Sequence, residues 1–164
     1  MATTTSFGDE PSQITAIDGS MIRNANLTVP SYSSLSVPAG VTINGIVVTW
    51  TGGYHSSVHP LLEVMSVAYA GSGNSDTLAA NDQPEYYPDT STVTFGSPTN
   101  LWGLTWTVDQ ANAIATKMYV DSGTFYHDAF QVTIHYTELN PVTSLSTSIS
   151  SGIVKIESGK VIIK

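Results

Sequence analysis

Val41-Thr42-Ile43-Asn44-Gly45-Ile46-Val47-Val48-Thr49-Trp50 is the clearest strand in the chain. Ile46, Val48 and Trp50 fall on one face, Val47 and Thr49 on the other. A period of about two is the pattern of a strand with one buried face, and β-branched residues fit its pleat. Gly45 interrupts the start and marks a bulge or a close approach of another backbone. Pro38-Ala39-Gly40 before the stretch and Thr51-Gly52-Gly53 after it read as breaks.

Working outward, Phe130 to Tyr136 alternates in the same way, with Phe130, Val132, Ile134 and Tyr136 inward and Gln131, Thr133 and His135 outward. Leu61 to Tyr69, Thr92 to Phe95 and Ile114 to Val120 read as further strands, and Ile14 to Val29 holds one or two short ones. Thr107-Val108-Asp109-Gln110 fits a capping box, which predicts one or two helical turns through Ala113. Residues 71–90 carry turn formers without periodicity and read as a long loop.

Short strands, frequent turns and one brief helix define an all-β protein, a β-sandwich of jelly-roll or immunoglobulin-like type. Its expected parts are a flexible N-terminal arm at 1–13, the sandwich at 14–138 and a Ser/Thr-rich linker at 139–152. The last part is a C-terminal β-hairpin arm at 153–164, turning at Ser158-Gly159. A lone hairpin is marginal in water and both faces of this one read as rather apolar, so it pairs with the sandwich or with another subunit; a linker of about a dozen residues lets it reach away from its own core and favours the second. Its candidate contact residues are Ile153, Val154, Ile156, Val161, Ile162 and Ile163.

Composition agrees with a β-rich fold and narrows the partners. Of 164 residues 41% are apolar and only 11% charged, against roughly 25% charged in average soluble domains. The net charge is −8 with five basic residues, so no Lys/Arg cluster is available to displace counterions from nucleic-acid phosphates. No apolar run reaches the roughly 20 residues of a membrane-spanning helix, and the first residues carry no secretory-signal pattern. Cysteine is absent, so disulfides contribute nothing to stability.

The search for chemistry finds no catalytic constellation. His55 and His59 are four apart, but Gly52-Gly53 before them and Pro60 after them argue against the helix a zinc pair would use, and they read as turn residues. His127-Asp128 lacks a nucleophile elbow, and neighbours on a strand face opposite ways. Asp76, Asp82, Glu85 and Asp89 match no EF-hand spacing and read as a solvated acidic loop. Among the aromatics, Trp50, Trp102 and Tyr136 read as core, while Tyr86 and Tyr87 read as exposed contacts able to stack on a partner or a sugar ring. Asn26-Leu27-Thr28 matches a glycosylation triplet of low specificity. No cofactor or metal is expected.

Several segments, in order, carry a family resemblance. They are Val37-Pro38-Ala39-Gly40-Val41-Thr42-Ile43-Asn44-Gly45-Ile46-Val47-Val48, then Thr92-Val93-Thr94-Phe95-Gly96 and Leu101-Trp102-Gly103-Leu104, and last Asp128-Ala129-Phe130-Gln131-Val132-Thr133-Ile134-His135-Tyr136. Together, across roughly residues 14–137, they resemble a β-sandwich domain of structural proteins of tailed bacteriophages. Such domains often have Phe-Gly-Val in the strand after the helix, where this chain has Ile114-Ala115-Thr116-Lys117-Met118. The resemblance implies a virion component without catalytic residues, found in tail fibres, tail-tip proteins or capsid accessory proteins. One sandwich with an arm at each end, and no shaft or recognition head, points to a capsid decoration (cement) protein. Its partners would be the major capsid protein or other virion subunits, and it would form a dimer or trimer. The alternative is a tail-fibre or tail-tip component that binds host carbohydrate through loop 71–90.

Overall fold

The computed structural model describes residues 1–9, 15–17, 21–24, 26–54, 63–69, 78–80, 90–120, 125–139, 154–157 and 160–163. Its strands are β1 (Ala2–Phe7), β2 (Ile22–Asn24), β3 (Asn26–Val29), β4 (Val41–Tyr54), β5 (Glu63–Ala68), β6 (Leu78–Ala80), β7 (Ser91–Gly96), β8 (Ala115–Val120) and β9 (Phe125–Glu138). Helix α1 (Val108–Asn112) lies between β7 and β8, and β10 (Val154–Glu157) and β11 (Lys160–Ile163) close the chain. One sheet runs β1-β9-β4-β7, with β2 also on β9; the second runs β3-β8-β5-β6; β10 and β11 form a two-stranded sheet of their own.

The strand order separates the two sandwich types that the sequence leaves open. Counting β1 and β2 as the first of eight strands, the first pairs with the eighth, β9, and the second, β3, with the seventh, β8. The third, β4, pairs with the sixth, β7, and the fourth, β5, with the fifth, β6. Every pairing is antiparallel, and successive pairs alternate between the sheets. The remaining pairings, β4 with β9 and β5 with β8, close the roll. A chain doubled on itself and rolled in this way is a jelly roll.

The expected loose arm at 1–13 is corrected over Ala2–Phe7, which pairs in register with β9 from Ala2 opposite Tyr136 to Phe7 opposite Gln131. Thr15 then bridges Ala129, and β2 pairs with His127 to Phe125. The N-terminal segment thus descends the free side of the long strand β9 in three steps. That side carries backbone donors and acceptors which β4 does not reach, and pairing satisfies them. Residues 1–13 look like an arm because they are mostly polar and carry Gly8 and Pro11, and Ala2–Ser6 holds no large apolar residue to mark a buried face.

Two irregularities set the geometry of the main sheet. Asn44 is the extra residue where the β4–β9 register shifts between Ile43 and Gly45, and it turns the buried set from Ile43 to Ile46, Val48 and Trp50. Gly45 is both things the sequence allows, a bulge position and a close approach. A Cβ there would lie 2.3 Å from the Pro98 carbonyl carbon. The second shift pairs Thr51 with Ala129 but Gly52 with His127, leaving Asp128 as the extra residue on β9. A Cβ on Gly52 would meet the Tyr126 carbonyl oxygen at 2.2 Å. Thr51-Gly52-Gly53 therefore continues β4 through a tight crossing instead of ending it, contrary to the sequence reading.

The core lies between the two sheets. Ile46, Val48, Trp50, Val93, Phe95, Phe130, Val132 and Ile134 of the first face Leu27, Val29, Met65, Val67 and Met118 of the second, all buried. The capping box forms as its spacing predicts: Gln110 N donates to Thr107 Oγ1 at 3.3 Å, and Thr107 N to Gln110 Oε1 at 2.8 Å. The Leu101-Trp102-Gly103-Leu104 segment is a turn in which Leu104 N donates to Leu101 O at 3.1 Å. Both its central residues are left-handed, with φ 58° at Trp102 and 68° at Gly103. A non-glycine residue there costs on the order of 1–2 kcal/mol. The fully buried Trp102 indole, whose Nε1 donates to Ile46 O at 2.9 Å, offsets that cost.

Candidate functional site

The sequence-derived contact residues fall in two places. Tyr86, Tyr87 and Ile153 lie outside the described residues, as do His55, His59, Asp76, Asp82, Glu85 and Asp89. Val154 and Ile156 are on β10, and Val161, Ile162 and Ile163 on β11. The register sets Val154 opposite Ile163 and Ile156 opposite Val161, then Lys155 opposite Ile162 and Glu157 opposite Lys160. Residues opposite each other share a face, and alternate residues along a strand do too. The first two pairs make one wholly aliphatic face of the ladder, while the other holds three charged residues and Ile162. The hairpin is therefore amphipathic, not apolar on both faces.

His127 and Asp128, weighed as a catalytic pair, have structural places. The bulge at Asp128 switches the inward set of β9 from odd positions, Phe125 and His127, to even ones, Phe130 to Tyr136. His127 is fully buried and its Nδ1 accepts from Trp50 Nε1 at 3.0 Å. An indole N–H only donates, so this Nδ1 carries no proton and the neutral ring holds its proton on Nε2. Trp50, Phe125 and Phe130 surround the imidazole with ring centroids 5.6–6.2 Å away. This is a core histidine fixed in one tautomer. Among the described residues, no three His, Asp or Glu side chains gather as a metal site requires.

The sequence reading missed a polar cleft at the edge of the main sheet. Thr5, Ser6, Phe7, Gly8, Asp9, Thr15, Ser33 and Ser34 line about 720 Å³ there. Asp9 receives Ser33 N and Ser33 Oγ, each at 2.7 Å, while its own N donates to Ser31 O at 3.1 Å. Slight burial pushes its carboxyl up, but hydrogen bonds from Ser33 and Ser31 outweigh that and hold it below the ordinary range. Nearby, Tyr32 is buried with its hydroxyl 2.5 Å from Thr116 Oγ1. Burial pushes this phenol above the usual tyrosine range, the Thr116 bond opposes the shift and the charge on Asp9 adds to it. Asp9 thus pins the 31–37 segment against β1 at a position where sequence alone shows only a polar run.

A smaller cleft of about 380 Å³ lies between Met1, Ala2, Thr137 and Glu138, where β9 ends beside the start of β1. Met1 and, beyond Glu138, Leu139 are exposed at 73% and 65%, two of the four large apolar side chains in the described surface that are so open. No family model, no curated protein and no solved structure matches the chain.

Proposed function

We propose that the protein is a structural subunit of a tailed-bacteriophage virion, a head decoration protein that stabilises the capsid by non-covalent association. The supporting observation is the amphipathic hairpin β10–β11, a sheet separate from both sandwich sheets, at the end of a Ser/Thr-rich segment. Two short strands with one aliphatic face are marginal alone and gain stability by covering that face. A jelly roll is frequent in viral capsid domains but hosts unrelated functions, so the fold agrees with the reading without selecting it. The sequence resemblance supplies the virus; the arm supplies the mode of association. The role is structural, not catalytic.

Truncation after Pro141 tests it. The full chain should co-sediment with heads of the phage that encodes it, and the truncated chain, with its sandwich intact, should stay in the supernatant. Equal binding by both would contradict the arm's role.

A further inference from the structure

The chain's charge is divided unevenly. In the arm, residues 153–164, Lys155, Lys160 and Lys164 stand against Glu157, a net of +2. Everywhere else only Arg23 and Lys117 stand against twelve carboxylates, a net of −10, which together give the −8 of the whole chain. The arm is thus a basic, one-sided aliphatic ladder attached to a strongly acidic body. Among the described residues it joins the edge of neither sandwich sheet.

The corner where β9 ends matches it in chemistry. Met1 and Leu139 offer exposed apolar surface, and the exposed Glu138 offers a carboxylate. Beside them runs the start of β1, an outer strand of six residues without a charge or a proline, against which the 31–37 segment packs only from Thr4 onward, where Ser36 N donates to Thr4 Oγ1 at 3.3 Å. Natural edge strands usually carry charges or prolines to prevent pairing with another chain. Leu139 is the last described residue of the sandwich, and residues 140–153 separate it in sequence from β10.

We propose that the arm of one copy docks on the β1–Glu138 corner of a second copy, and that two copies exchange arms reciprocally. This rests on the reading of β10–β11 as an assembly element and names its partner. A two-fold axis relating the two copies makes both exchanges identical, the closed isologous arrangement. The stretch 140–153 spans up to about 45–50 Å when extended, enough to cross to a neighbour. Apolar burial supplies affinity, and the opposite charges offset the repulsion between two acidic bodies.

Sedimentation velocity on the full chain at low and at high salt tests this, beside the triple variant K155E/K160E/K164E and the single variant Glu138→Lys. The full chain should be a dimer at low salt, with a dissociation constant at least tenfold weaker near 1 M salt, where the screening length falls to about 3 Å. The triple variant should be monomeric and Glu138→Lys should weaken the dimer, each keeping the wild-type near-ultraviolet spectrum of the buried tryptophans. A monomeric full chain at low salt, as docking on its own sandwich would give, overturns the proposal, and so does a dimer indifferent to the triple reversal. A dimer indifferent to Glu138→Lys overturns the corner as receptor. Head binding by a monomeric chain would leave the decoration reading standing while this inference fails.

Discussion

Trp50 Nε1 donates to His127 Nδ1 at 3.0 Å, joining β4 to β9 inside the core where neither side chain meets solvent. The bond depends on the bulge at Asp128, which brings His127 onto the inner face. Trp50→Phe leaves a buried imidazole acceptor unpaired, and His127→Phe leaves a buried indole donor unpaired. Each should cost about 1–3 kcal/mol for the orphaned group, with a cavity contribution added for the tryptophan. The double variant should cost less than the sum of the two, because it removes the orphan in each single variant. Urea denaturation of the four proteins checks this; strictly additive costs would contradict a coupled pair.

Gly45→Ala places a Cβ against the backbone of Pro98 and Thr99, at 2.3–2.5 Å, with no flexible side chain able to give way. Overpacking of a core typically costs about 1–3 kcal/mol, and a backbone clash belongs at or above the top of that range. Thr107→Ala, which removes the capping-box acceptor but touches no core residue, should cost about 0.5–2 kcal/mol. Thermal unfolding of both variants should show the larger loss at Gly45.

Stability should fall at both ends of the pH scale for reasons that two residues identify. The Asp9 carboxyl is held below its unfolded value, so its contribution is present above the ordinary carboxylate range and is lost as pH falls through the lowered folded value. Tyr32 is raised, so its contribution is full below the unfolded tyrosine pKa of about 10 and is lost as pH rises towards the higher folded value. Asp9→Asn should flatten the acid limb of a stability-against-pH profile, and Tyr32→Phe the alkaline limb. Profiles unchanged from the wild type would contradict both assignments.

Residue patterning made the sandwich legible where each face had one chemistry: Ile46 to Trp50, Phe130 to Tyr136, and the Thr107–Gln110 box all stand as read. It failed where pairing or close approach decided the outcome. Ala2–Phe7 has no apolar stripe, and only the unpaired side of β9 makes it a strand. Gly52 looks like a strand end because the Tyr126 carbonyl that excludes a side chain is 74 residues away in sequence. The jelly-roll order is likewise a property of long-range pairing. In the C-terminal hairpin, the pairing of Val154–Glu157 with Lys160–Ile163 was legible, but the face assignment needed the register. The Asp9 clamp was not legible, since its partners Ser31 and Ser33 share no pattern with it.

The most direct measurement of the central claim is the location of the protein in purified virions. Mass spectrometry of gradient-purified particles, with antibody labelling under the electron microscope, should find many copies spread over the head. A brief chaotrope wash should release them without dissolving the capsid. Particles that lack the protein, or carry label only at the tail, would contradict the account.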